Sequence, residues 1–267
     1  MYTEKKSLIN IEEFYGWCKE FGLHVVLNLH HAIGAYCDCP DERDLCLNPE
    51  RRARFTALWV MLEKRFHDQD HVAFELLNEL PTNDDVEWDS LADETLRELR
   101  KLNKDRYIIM GGVEYNNVTG LKKLNIWDDE KVVYTFHFYS PHEFTHQRGL
   151  LADVQHIYNR EMPYPGSIQK YREYREYFGW DAGDYADIER MDKEWLWKKL
   201  QPAADWIEAH SDKIFVQRRI RYNPAWSSAV SYCLVQGCYC ILSEIRNTLL
   251  YVELSEYTVR RKPIQSG

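Results

Sequence analysis

The chain has 267 residues, enough for one large α/β domain, and its formal charge of −9 argues against nucleic acid or an anionic membrane surface as a partner. No apolar run reaches the length of a membrane span, and Met1-Tyr-Thr-Glu-Lys-Lys6 leads into an amphipathic helix without a signal-peptide core. Aromatic residues make up 14%, with 9 Trp and 18 Tyr, which suits stacking on flat sugar faces as well as an aromatic core.

Ile11 to Phe21 reads as an amphipathic helix, ended by Gly22 as a left-handed cap. Leu23 to Leu29 is a buried strand. Asn48 to Arg65 is a second helix, with Pro49 in its first turn and Phe55, Leu58, Trp59 and Leu62 on one face. Val72 to Leu77 is a strand that stops on Asn78-Glu79 and breaks at Pro81. Ser90 to Leu102 is a helix with Leu91, Leu96 and Leu99 inward. Tyr107 to Met110 is a strand closing on Gly111-Gly112, and Val132 to Phe136 is another, running into His137-Phe-Tyr139. Pro141 to Asp187 is too long for a plain connection and reads as a lid or substrate rim. Lys193 to Ala209 is a helix, and Ile214 to Val216 begins a fifth strand. This alternation predicts a parallel βα fold.

Three strands end on polar groups: His30-His31, Asn78-Glu79, and His137 with Tyr139. A carboxylate and an amide at the end of an apolar strand are costly to bury without a partner. In a parallel barrel the C-terminal strand ends converge on one pocket, which is where such groups do chemistry. Seven cysteines form no disulfide framework. Cys37, Cys39 and Cys46, with His30 and His31 nearby, lack paired Cys-x-x-Cys spacing, so no metal site is expected.

The segments Leu27-Asn-Leu-His-His-Ala32, Phe74-Glu-Leu-Leu-Asn-Glu79, Asp105-Arg-Tyr-Ile-Ile109 and Val133-Tyr-Thr-Phe-His-Phe-Tyr139 together resemble glycoside hydrolase family 5, the cellulase family. The likeness runs over roughly residues 10 to 214. It implies a (β/α)8 TIM barrel and retaining hydrolysis of a β-glucan-type polysaccharide, as by an endo-β-1,4-glucanase, with mannan or another β-glycan as the alternative substrate. It implies Glu79 as general acid/base and Asn78 as the holder of the sugar 2-hydroxyl. His30 and His31 would bind substrate at the pocket floor, Tyr115 would stack on it, and His137 and Tyr139 would tune the carboxylates. No cofactor is implied. Leu80 departs from the pattern, since the family usually has Pro directly after this Glu. Complete members of the family are often secreted.

The same resemblance exposes a gap. A second Glu is expected within Gly-Glu-Phe-Gly on the seventh strand, and Ile214-Phe-Val-Gln-Arg-Arg-Ile-Arg221 holds no carboxylate. From Phe215 onward the chain has seven Lys and Arg against three Glu and no Asp, a basic stretch in an acidic protein. Gln217 to Tyr222 can be encoded CAG AGG AGA ATT CGG TAT, and a one-base shift of that string reads Gly-Glu-Phe-Gly. The same shift lets Leu234 to Ser255 encode a segment carrying Trp-Asn-Tyr, as at the family's eighth strand. The expectation is therefore a partial barrel domain over residues 1–214, a frameshifted tail over 215–267, and a chain inactive or impaired for want of its nucleophile. Two βα units that the family places before Ile9 are also missing, so the barrel is expected to be incomplete and prone to self-association. A non-catalytic carbohydrate-binding remnant is the second reading. A hydrolase using Glu143 or Asp181 as base is the third.

Overall fold

The computed structural model describes residues 2–35, 43–82, 84–149 and 153–219. Helix α1 (Tyr2–Glu20) packs Tyr15 and Cys18 into the core. It ends in a Schellman turn: Gly22 takes φ +66°, with Leu23 N–H donating to Cys18 O at 2.8 Å and Gly22 N–H to Lys19 O at 3.1 Å. Strand β1 (Val25–Asn28) follows. Helix α2 (Pro49–Phe66) is capped by Asn48, whose side chain accepts from the Glu50 and Arg51 amides at 3.0 and 3.2 Å, and Pro49 opens it where no amide is needed. Next come β2 (Val72–Glu75) and α3 (Asp85–Leu102), the latter capped by Asp84. The helix expected from Ser90 thus starts five residues earlier, where the Asp84 side chain accepts from Glu87 N–H at 3.1 Å and caps it. The strand expected to Leu77 pairs only to Glu75, beyond which the chain bends toward the loop at Pro81.

Strand β3 (Ile108–Gly111) leads into two single turns, α4 (Val113–Asn116) and α5 (Val118–Leu121), and then β4 (Val132–His137). The long excursion holds short pieces: α6 (His142–Thr145), α7 (Asp153–Tyr158), β5 (Gly166–Ser167), α8 (Gln169–Tyr177) and β6 (Arg190–Met191), with β5 and β6 antiparallel. Helix α9 (Lys193–Ala209) and strand β7 (Ile214–Arg219) complete the described chain. The larger sheet has the order β1-β2-β3-β4-β7, every neighbour parallel. Among the described residues these five strands do not close into a barrel.

Strand alternation sorts the side chains into two layers. Val25, Leu27, Val72, Phe74, Ile108, Met110, Val132, Tyr134 and Phe136 face the helices and join the main core. Ile109, Val133 and Val216, with Val26, Ala73 and Ile214 beside them, form a smaller cluster on the opposite, concave face. Two helix tryptophans tie strand ends to the outer layer, Trp59 Nε1 donating to Leu76 O at 3.2 Å and Trp88 Nε1 to Gly111 O at 2.9 Å. The proposed out-of-frame tail falls, beyond β7, on residues 220–267, which lie outside the described residues. No helix among the described residues is long and apolar enough to cross a membrane.

Candidate active site

Glu79 lies four residues past the end of β2, its side chain mostly but not wholly buried. The last residue of β4, His137, is buried and brings Nδ1 to 2.6 Å from Glu79 Oε1. Tyr139, two residues further along the same face, donates its hydroxyl to the same oxygen at 3.2 Å. The two rings meet edge to face with centroids 5.8 Å apart, so each restricts the other. One carboxylate oxygen is thereby held from two sides by groups of the neighbouring strand region. Asn78 is buried, and its backbone amide donates to Leu29 O at 3.0 Å, which sets the Glu79 turn against the end of β1. Its side-chain oxygen and nitrogen are both buried without a hydrogen-bond partner among the described residues. An amide so placed is costly unless something else enters to bond it.

Deeper on the concave face, Asn28 donates its side-chain amide to Glu75, a fully buried carboxylate one register step across. At the other side of the site the loop after β3 takes an unusual course. Glu114, Tyr115 and Asn116 have φ of +58°, +60° and +57°, three consecutive left-handed residues without a glycine. Each such residue costs on the order of 1–2 kcal/mol against the right-handed form. The turn is held by Glu114 N–H donating to Thr82 O at 2.7 Å and Tyr115 N–H to Leu80 O at 2.9 Å. Glu114 is anchored by Lys123 and by Thr119 Oγ1 at 2.5 Å, and these partners hold its carboxyl below the usual carboxylate range. The Tyr115 ring is exposed, and its hydroxyl accepts from Arg43 Nη2 at 2.9 Å.

The chain as a whole has counterparts among known proteins. The sequence model described as Cellulase (glycosyl hydrolase family 5) matches residues 1–216. The chain belongs to glycosyl hydrolase family 5. Endoglucanase C of Acetivibrio thermocellus is 33% identical over 218 residues, covering 79% of this chain and 62% of that protein. Cellodextrinase A of Ruminococcus flavefaciens is 34% identical over 140 residues, 51% of this chain and 42% of that one. The chain thus spans less than two thirds of the length of these relatives. Among solved structures, Thermotoga maritima Cel5A in complex with mannotriose superposes with a TM-score of 0.70 at 21% identity, over 94% of this chain and 71% of that one. The cellulose synthase subunit Z of Clostridioides difficile gives 0.72 at 18% identity, over 94% and 73%. These place the five parallel strands of this family 5 chain in a (β/α)8 TIM-barrel fold.

The residues expected at the site are brought together in part. Asn78, Glu79, His137 and Tyr139 are in direct or adjacent contact. His30 and His31 follow β1 with rings 4.8 Å apart, and both are exposed. Tyr115 stands on the left-handed turn, coupled to the Glu79 loop through Leu80 and Thr82. Of the alternative bases, Glu143 accepts from the buried Tyr185 hydroxyl at 2.5 Å, and Asp181 is almost fully exposed beside Arg175. Neither is drawn to Glu79 by any described contact. Cys37 and Cys39 lie outside the described residues, while Cys46 is buried, which pushes its thiol up to about 12. Sequence reasoning missed Glu75, Asn28 and Asn116. The first two were legible in principle, since Glu75 is the one charge inside an apolar strand; Asn116 gave no signal.

Proposed function

We propose that the chain carries the acid half of a retaining endo-β-1,4-glucanase-type site, acting on a β-glucan with mannan as the neighbouring possibility. Glu79 protonates the glycosidic oxygen of the leaving sugar and later deprotonates the attacking water. His137 and Tyr139 hold its carboxyl in place, and Asn78 bonds the 2-hydroxyl of the sugar at the reacting centre. Tyr115 offers a ring face to a neighbouring sugar, and His30 and His31 bind substrate at the floor of the pocket. The observation that carries the reading is the pairing of a carboxylate clamped at 2.6 and 3.2 Å with a buried, unbonded asparagine amide next to it.

Retention also needs a carboxylate about 5–5.5 Å from the acid to attack the anomeric carbon. Ile214 to Arg221, where the family's second Glu is expected, holds none. We therefore propose that residues 215–267 are an out-of-frame tail and that this chain turns over slowly or not at all. Its self-association belongs to the same proposal, through strand edges left unpaired. The missing carboxylate equally favours a second reading, a carbohydrate-binding remnant without turnover. Incubation with soluble β-glucan and mannan, assayed for new reducing ends and for binding in the parent and in Glu79→Gln, separates them. Turnover abolished by Glu79→Gln supports a working enzyme. Binding with no turnover in either supports the remnant, and neither binding nor turnover defeats both.

A further inference from the structure

We propose that Asn116 is a positioning residue, which through the left-handed turn it locks holds the Tyr115 ring and the Glu79 loop as one rigid unit. The inference rests on the reading of Glu79 as the acid of a glycosidase. Asn116 is fully buried and touches no solvent, so it does not itself meet a sugar. Its Oδ1 accepts from Gly112 N–H at 3.1 Å, closing the turn on itself. Its side chain also fills the space over Gly111, where an added Cβ would stand 2.5 Å from it, which explains a glycine at the end of β3.

The locked turn has a consequence at the site. Left-handed φ at 114–116 aims two successive amides at the loop behind the acid, Tyr115 N–H to Leu80 O and Glu114 N–H to Thr82 O. Leu80 is the residue directly after Glu79, so the carbonyl one residue beyond the acid is fixed by the amide of the stacking tyrosine. In a right-handed turn those amides would point elsewhere. A bulky tyrosine persists at φ +60° only where its surroundings over-determine it, and such outliers cluster at working sites. Asparagine is one of few residues that enter this region readily, and here it supplies the closing acceptor as well.

The test uses the full chain with Asn116→Gly and Asn116→Ala. Glycine accepts the left-handed backbone, so that variant folds, but it lacks the acceptor for Gly112. Alanine lacks the acceptor too, and it also resists the left-handed backbone. Two readouts are taken: cellotetraose affinity by calorimetry, and the titration of the Glu79 carboxyl by carbon NMR. Asn116→Gly is expected to weaken binding about tenfold, as misplacement of a binding surface does, and to move the Glu79 titration midpoint. Asn116→Ala is expected to move both at least as far. A merely structural turn would lower the melting temperature and leave Glu79 unchanged. A folded Asn116→Gly chain with parental affinity and parental Glu79 titration overturns the proposal, and so does a folded Asn116→Ala chain with both parental. Absence of cellotetraose binding in the parent would instead defeat the glycosidase reading, while the Glu79 titration still decides whether the turn holds the acid.

Discussion

The end of the sheet opposite the site depends on one buried cation, and its removal has a calculable effect. Arg106, at the start of the chain leading into β3, is buried against fully buried Glu63 of α2, with Nε and Nη2 at 2.8 and 3.2 Å from the two carboxylate oxygens. The same guanidinium donates to Gln69 O at 2.7 Å, Val72 O at 2.5 Å and Phe66 O at 2.5 Å, and stacks 4.9 Å from the Phe74 ring centroid. It therefore satisfies the last carbonyls of α2 and the chain entering β2 together. Arg106→Met keeps the apolar stem and deletes every one of these donors. Glu63 would be left with Asn103 Nδ2 at 2.9 Å and a distant His67 at 3.5 Å. Stranding a buried carboxylate in this way costs about 3–5 kcal/mol. The individual charged hydrogen bonds, each worth about 1.5–3 kcal/mol, sum to more than that because they are not additive. Replacing both partners, Arg106→Met with Glu63→Met, removes the stranded charge and is expected to recover roughly 1–2 kcal/mol of the loss. Urea unfolding followed by tryptophan fluorescence reads all three proteins. A single variant costing less than about 1 kcal/mol, or a double variant as unstable as the single, would refute the account.

Three further outcomes are expected. Burial raises the Asp89 carboxyl from 3.8 to about 6, against the opposing hydrogen bond from Asn125 N–H, with Asp85 adding a smaller upward push. A raised carboxyl binds its proton more tightly in the folded chain, so its contribution to stability falls as pH rises from about 4 to 6. Asp89→Asn should flatten that slope and stabilise the protein at pH 7 by on the order of 1 kcal/mol, after allowance for its half-exposed position, as urea midpoints at pH 4 and 7 would show. Gly120→Ala would place a Cβ 2.1 Å from Val113 O, a backbone atom held by the left-handed turn. It should cost about 1–3 kcal/mol, read as a lowered melting temperature; an unchanged one would contradict the packing. Trp88→Phe leaves Gly111 O without its indole donor at 2.9 Å and should cost about 1–3 kcal/mol in the same assay.

Local order was legible from the residues alone. Caps, glycines and period-two alternation act between residues a few positions apart, so Asn48, Gly22 and the apolar strand faces declare themselves in one dimension. The polar strand ends at Asn78-Glu79 and His137-Tyr139 were visible for the same reason, and the parallel order of their strands follows from the alternating helices. The contact between Glu79 and His137 spans 58 positions and depends on the register of β2, β3 and β4, which no local pattern encodes. The exposure of His30, the engagement of Glu143 by Tyr185 and the burial of Glu75 beside Asn28 likewise arise where distant segments meet. The left-handed turn at Glu114–Asn116 is the extreme case. Most of its residues prefer other conformations, and the carbonyls of Leu80 and Thr82 from the loop behind the acid, with the Asn116 acceptor for Gly112 N–H, make it the favoured one. Sequence thus determined which side chains stand at the strand ends, and the tertiary structure decided which of them touch, because pairing energy is realised only after register is set.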